Sequence, residues 1–337
     1  MSEEAYDMMY EYYQEWGRMA RRAYIEGLNA RIPAQYKMTD KIFFCGMGGS
    51  GIAGLYAAHV LEELEADRLT GARTGLRLPR WVGRRTLVFA ISFSGNTWET
   101  MDCALTAHQR GAKVMLISRG GMMEDIARER SLFFLRVPTA PAPRAGLPAL
   151  LYSVLGILVN LNMLDPNEAG VDDSIELMIQ ERAAALEYGE TYAATLYKAK
   201  SRPLIVASGE SLQPVVLRAK NEFAENSKIP VYMGVFPESG HNDIEAWARL
   251  EGKTMIVIRT GNPVEDSMLD AAISVVRPRP VLEIRSRSMK PLVKLMWPSW
   301  LIGLASLNLA NMLGVGVAEI PNIDRYKKAF RRSRRAS

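Results

Sequence analysis

Residues 41–60 read KIFFCGMGGSGIAGLYAAHV and residues 86–100 read TLVFAISFSGNTWET. Each begins with a short apolar run, 42–45 in one and 87–91 in the other. Each run stops at small and hydroxyl-bearing residues, where a helical pattern starts. The reading is strand, tight loop, helix, twice over. Gly46, Gly48, Gly49, Ser50 and Gly51 make the first loop, and Ser92, Ser94, Gly95, Asn96 and Thr97 the second. Glycine lets a backbone approach a ligand and adopt positive φ. The first N–H groups of a helix are unpaired and lie at the positive end of its dipole, which suits an anion. Three serines and a threonine add neutral donors for phosphate oxygens. In an open α/β sheet both loops leave the carboxyl edge, where ligands bind.

Downstream of the second loop, KVMLIS (113–118) reads as a strand, 124–130 as a short helix and LFFLRVP (132–138) as another strand. That is repeated β-α-β order and predicts a mainly parallel sheet. Asn96 and Glu99 have the spacing of a capping box, and Trp98, Met101 and Leu105 mark the core face of the helix behind it. Upstream, residues 5–30 read as one helix. Met8, Tyr12, Trp16, Met19 and Ala23 recur there at helical spacing, a stripe for core or dimer packing. Residues 70–82 are broken by Gly, Arg and Pro and leave room for one short strand.

PTAPAPRAGLP (138–148) is a Pro-rich connection and the expected domain boundary. A very apolar helix (150–164) and an amphipathic one (174–200) follow. The β-α-β order then restarts with PLIVASGE (203–210), a helix over 215–227, MIVIRT (255–260), a helix over 264–276 and VLEIR (281–285). The second half is thus a degenerate repeat of the first in order of elements. The expectation is an α/β protein of two domains, 1–146 and 147–337, each a mainly parallel sheet flanked by helices.

A chain of 337 residues is long for a single core, which agrees with two domains. Hydrophobic content of 48% with 23% charged residues is ordinary for a globular enzyme. Cys45 and Cys103 lie in apolar elements and read as buried thiols of a reducing compartment. The opening MSEEAYDMMYEYYQEW is acidic and amphipathic, unlike a secretory or organellar signal, so a cytoplasmic location is expected. Much of the net charge of +5 sits in RYKKAFRRSRRAS (325–337), a solvated basic end without a nucleic-acid-binding fold beside it. Residues 292–317 are apolar, but Lys294, Pro298, Ser299, Ser306, Asn308 and Asn311 interrupt them. They read as a buried helix, and no membrane or nucleic-acid partner is expected.

Gly46, Gly48 and Gly51 formally satisfy GxGxxG, a weak pattern when alone. A dinucleotide site also wants an acidic residue ending the next strand. Glu62, Glu63, Glu65 and Asp67 fall in the helix instead, the stretch after them is basic, and the hydroxyl-rich second loop has no role in that scheme. The chain has no HExxH, cysteine cluster or carboxylate run of metal-ligand spacing, so neither cofactor nor metal is expected. A sugar phosphate fits the two loops better.

GMGGSG followed by SFSGNTWET resembles the sugar isomerase (SIS) domain family, in which both loops grip the phosphate of a phosphosugar. PRAGLP (143–148), AENSKIP (224–230), PESGHNDIEAW (237–247) and IPNIDRYKK (320–328) resemble the bifunctional phosphoglucose/phosphomannose isomerases of archaea and some bacteria. The matches run along nearly the whole chain in that family's order. The resemblance implies two SIS-type, flavodoxin-like domains, a homodimer, and interconversion of glucose 6-phosphate or mannose 6-phosphate with fructose 6-phosphate. Other SIS proteins, an amino-sugar phosphate isomerase or a non-catalytic phosphosugar sensor, are the alternatives.

Carried over residue by residue, the resemblance gives the phosphate to Ser50, Ser92, Ser94 and Thr97, with Gly48 and Gly49 beside the sugar oxygens. It makes Glu225 the base that moves a proton between C2 and C1 through a cis-enediol(ate). By residue type alone Glu222 is an equal candidate, and the AENSK context selects Glu225. It implies that His241 assists ring opening from the neighbouring subunit, while His59 and His108, in helices, read as structural. Gly240 and Asp243 stand where the family pattern has Asn and Glu. Lys327, with Lys328 adjoining it, is implied as a partner in ring opening, and Arg144 as the cation that neutralises the enediolate.

Overall fold

The computed structural model describes residues 3–200 and 202–336. Its first sheet holds β1 (Lys41–Gly46), β2 (Leu69–Arg73), β3 (Thr86–Ile91), β4 (Lys113–Ser118) and β5 (Phe133–Arg136), in the order β2-β1-β3-β4-β5. Its second holds β6 (Leu204–Ala207), β7 (Tyr232–Val235), β8 (Met255–Arg259) and β9 (Val281–Arg285), in the order β7-β6-β8-β9. Every pairing is parallel. The second sheet repeats the order of the first without its last strand. The central strands are buried almost from end to end, as a parallel sheet covered on both faces requires. That is why they read as unbroken apolar runs.

β1 and β3 are neighbours, with Ile42 opposite Leu87 and Gly46 opposite Ile91. The strand order reverses between them, so the loops that follow them open on one crevice at the carboxyl edge. The helix Gly48–Glu63 leaves the first loop and Trp98–Gln109 the second. Between the halves runs Pro291–Met312, long and apolar enough to cross a membrane by composition, yet enclosed by the rest of the chain. One continuous apolar core joins it to helices of both halves. Each fully buried leucine there contributes about 1.5–3 kcal/mol. Cys45 and Cys103 are free and buried.

Several expectations need correction. The helix over 5–30 is two, Glu3–Gln14 and Trp16–Leu28, parted at Glu15. Its buried stripe is Met9, Tyr13, Trp16, Ala20 and Ala23, whereas Met8 is 51% exposed. Both stripes have helical spacing. The one ending in Gly27 wins because that residue lies on the Ser153 carbonyl of the helix Leu147–Asn160, an approach only a residue without a side chain allows. The amphipathic helix over 174–200 is also two, Val171–Gln180 and Arg182–Ala199.

The capping box at Asn96 and Glu99 does not form. Thr97 is the N-cap residue, and the Asn96 side chain accepts instead from the Met122 amide at 3.0 Å. That bond ties the second loop to the one after β4. Trp98 and Leu105 are half-buried, and the helix turns Met101, Cys103, Ala104 and Ala107 to the core. The helix over 215–227 ends at Glu222 and widens into a π-turn over Phe223–Ser227. β7 escaped the sequence reading because, at the sheet edge, its Tyr232 and Met233 face solvent.

Candidate active site

The two loops are braced against each other before any ligand is considered. Ser50, buried at the start of its helix, accepts from the Phe93 amide at 2.9 Å. Ser92 is fully buried and donates to the Thr97 hydroxyl at 2.9 Å. Ser94 accepts from the Asn96 amide at 3.2 Å. Gly95 turns at φ +69°, and a Cβ there would strike the Gly120 carbonyl. Ser94 and Thr97 are half-exposed and Gly48 is exposed, so these three face outward while Ser50 and Ser92 support them from behind.

The connection between the halves lies directly on the first loop. A Cβ on Gly49 would sit 3.2 Å from the Arg144 backbone nitrogen. Arg144 is itself held at both ends. Its carbonyl accepts from Arg218 at 3.1 Å, and the next carbonyl, Ala145, accepts from the Trp16 indole at 3.0 Å. Its guanidinium, 4% exposed, donates from Nε to Asn226 Oδ1 at 2.6 Å, from Nη1 to Glu225 Oε2 at 3.0 Å and from Nη2 to the Val317 carbonyl. An unbroken run of contacts therefore leads from Phe93 through Ser50, Gly49 and Arg144 to Glu225.

Glu222 and Glu225 have different surroundings. The Glu222 carboxylate is buried, paired with Arg218 at 2.6 Å, and accepts from the Tyr13 hydroxyl at 2.5 Å and from Asn226 Nδ2 at 2.9 Å. Burial pushes its carboxyl above the ordinary value, against the pull of Arg218. The Glu225 side chain keeps 23% exposure, so one face stays open to a ligand. Lys228, in the left-handed conformation, donates to the carbonyls of Glu225 and of Glu319, the latter at 2.8 Å. Burial, then the nearby Arg144, holds its ammonium below the ordinary lysine value.

His241 and Lys327 lie outside this cluster of contacts. His241 is exposed at the end of a short turn, Glu238–His241. That turn is stiffened by Ser239, which accepts from the Val235 amide at 2.9 Å and donates to Asp243 at 2.8 Å. Lys327 is exposed on the helix Pro321–Ala336. That helix follows the segment whose Val317 and Glu319 carbonyls are held by Arg144 and Lys228. Its Phe330 rests on Trp98, with ring centroids 5.9 Å apart. The helix thus bridges the Arg144 cluster and the start of the helix behind the second loop.

Sequence reading missed Arg218, Asn226 and Lys228. The signal for Arg218 and Asn226 was their spacing of four residues on either side of Glu222, which puts all three on one helical face.

Residues 36–164 match the SIS domain family, and residues 187–330 match the bacterial phospho-glucose isomerase C-terminal SIS domain. In fold, the chain is similar to the C-terminal domain of glucosamine-fructose-6-phosphate aminotransferase from Francisella tularensis. The TM-score is 0.69 at 17% identity, covering 93% of this chain and 98% of that one. It is 28% identical to a D-glucosamine-6-phosphate 4-epimerase of Sulfolobus acidocaldarius, over 94% of this chain and 96% of the other. It is 30% identical to a bifunctional phosphoglucose/phosphomannose isomerase of Pyrobaculum aerophilum over 90% of each chain. The corresponding protein of Aeropyrum pernix is 31% identical over 86% of this chain and 88% of its own. With that likeness running through both halves, the chain belongs to the family of bifunctional phosphoglucose/phosphomannose isomerases.

Proposed function

We propose that the protein interconverts glucose 6-phosphate and mannose 6-phosphate with fructose 6-phosphate. The observation that carries this reading is the 3.0 Å ion pair of Arg144 and Glu225, seated against the first strand-end loop by Gly49. The phosphate binds at the loops after β1 and β3, where the hydroxyls of Ser94 and Thr97, with Ser50 and Ser92 behind them, meet two helix N-termini, and Gly48 and Gly49 lie beside the sugar oxygens. The carbonyl end then reaches Glu225. Its carboxylate takes the proton from C2 of an aldose and returns it at C1 while the hydroxyl proton passes from O2 to O1, and Arg144 stabilises the negative charge on the enediolate oxygen. His241 and Lys327 open the cyclic sugar. The exposure of His241 on its stiff turn supports donation to the site of a neighbouring copy in a homodimer. The family and the sequence support a cytoplasmic metabolic enzyme.

The test is a coupled assay with glucose 6-phosphate, mannose 6-phosphate and glucosamine 6-phosphate, with and without chelator. Turnover of both hexose phosphates to fructose 6-phosphate, unchanged by chelator, is the expected outcome. Conversion of the amino sugar alone would instead favour the epimerase relative's reaction, and binding without turnover a sensor.

A further inference from the structure

We propose that Glu222 and Asn226 are positioning residues. The Glu222 carboxylate fixes the Asn226 amide, and that amide fixes the Arg144 guanidinium against Glu225. The effect on turnover rests on the isomerase reading above.

Asn226 is fully buried. Its Oδ1 accepts from Arg144 Nε at 2.6 Å, and its Nδ2 donates to Glu222 Oε2 at 2.9 Å. The second Nδ2 hydrogen goes to Ser306 Oγ at 2.9 Å, whose own hydrogen is directed to the Gly303 carbonyl at 2.8 Å. A carboxylate only accepts and a guanidinium only donates, so an amide between them has one satisfied orientation. The charge on Glu222 therefore sets which atom meets Arg144. Arg218 fills the other Glu222 oxygen at 2.6 Å, and Tyr13 shares Oε2. The cluster closes with two cations, Arg144 and Arg218, and two carboxylates, Glu222 and Glu225.

Glu222→Gln replaces one carboxylate oxygen with an NH2 donor. Pointed at Arg218 that group opposes a charge, so it turns toward Tyr13 and Asn226. The hydroxyl of Tyr13 can switch to accepting. Asn226 must turn its amide over and present N–H to N–H at Arg144. Asn226→Asp fails in the opposite sense, placing a carboxylate beside Glu222. Together the two changes restore an acceptor facing Arg144, a donor facing the acceptor, and the original charge count.

The experiment is the four-protein cycle of wild type, Glu222→Gln, Asn226→Asp and the double variant, assayed with fructose 6-phosphate and followed by thermal unfolding. Each single change is expected to lower kcat by roughly 10–100-fold with KM within about threefold, since misplacing a charge-stabilising group acts on the chemical step. The double variant should recover to within about tenfold of wild type, and its Tm should exceed that of either parent. A double variant no more active, stable or soluble than its parents overturns the proposal. Should the wild type bind but not turn over hexose phosphates, the isomerase reading fails. The Tm cycle then decides the positioning claim alone: recovery in the double variant supports it, and additive losses overturn it.

Discussion

Two glutamates at 222 and 225 were indistinguishable by residue type, and their neighbours separate them. Glu222 is enclosed by Arg218, Tyr13 and Asn226, while Glu225 meets Arg144 and keeps an open face. No periodicity carries that difference, because it depends on where Arg144 and Tyr13 arrive from far along the chain. For the proposed base, Glu225→Gln should lower kcat by ~10²–10⁴-fold. Calorimetry should still show fructose 6-phosphate binding, and near wild-type turnover would remove Glu225 from that role. His59 allows a second prediction at this scale. Burial holds its pKa below the ordinary 6.5, with exposed Glu62 at 4.0 Å opposing that and nearby Lys294 adding to it. The unfolded chain therefore takes up the proton first, so the stability from neutral His59 is complete above pH 6.5 and drains away as the pH falls toward the lower folded value. The Tm loss between about pH 7 and 5 should be shallower in His59→Gln than in wild type, and identical slopes would refute this.

Among the elements, the central strands and both site loops were legible because each pairs an apolar run with a sharp change to glycine and hydroxyl residues. The breaks at Glu15 and Glu181 were not, since neither carries the proline or glycine that marks a helix end. Nor was the choice of buried stripe, which turned on one helix crossing. There Gly27 meets the Ser153 carbonyl and Gly156 the Tyr24 carbonyl, at 2.2 and 2.3 Å from where a Cβ would stand. Alanine at either site would gain roughly 1 kcal/mol in helix propensity. Overpacking costs about 1–3 kcal/mol, and the obstacle here is backbone that cannot turn aside. Gly27→Ala and Gly156→Ala should therefore both lower the urea midpoint, and a rise in either would show that the crossing yields. The second sheet differs from the first at the equivalent crevice, between β6 and β8. Thr260 donates to Glu265 at 2.5 Å and Ser208 to Asp266 at 2.7 Å, while a Cβ on Gly209 would strike the Glu265 carboxylate. The protein's own carboxylates fill the place an anion would take. Titration calorimetry should accordingly find one fructose 6-phosphate per chain, and two would show that this crevice opens.

For the whole molecule, the two halves share one core and meet at Arg144, so the proposed site belongs to neither half alone. The family resemblance, rather than any spacing, brought His241 into the reading, and within one chain it is exposed at the end of the turn Glu238–His241. If a neighbouring copy supplies it, then mixing inactive Glu225→Gln with inactive His241→Ala, after dissociation and reassembly, should restore about a quarter of wild-type activity through hybrid dimers. No recovery would place His241 within its own chain's site or outside catalysis. The central claim is that the loops after β1 and β3 hold the phosphate while the carbonyl end meets Glu225. Its most direct test is a crystal structure with fructose 6-phosphate bound. The account predicts phosphate oxygens at about 2.7–3.2 Å from the hydroxyls of Ser94 and Thr97, with C1 and C2 against the Glu225 carboxylate. A phosphate seated away from those loops, or sugar carbons beyond the reach of Glu225, would contradict it.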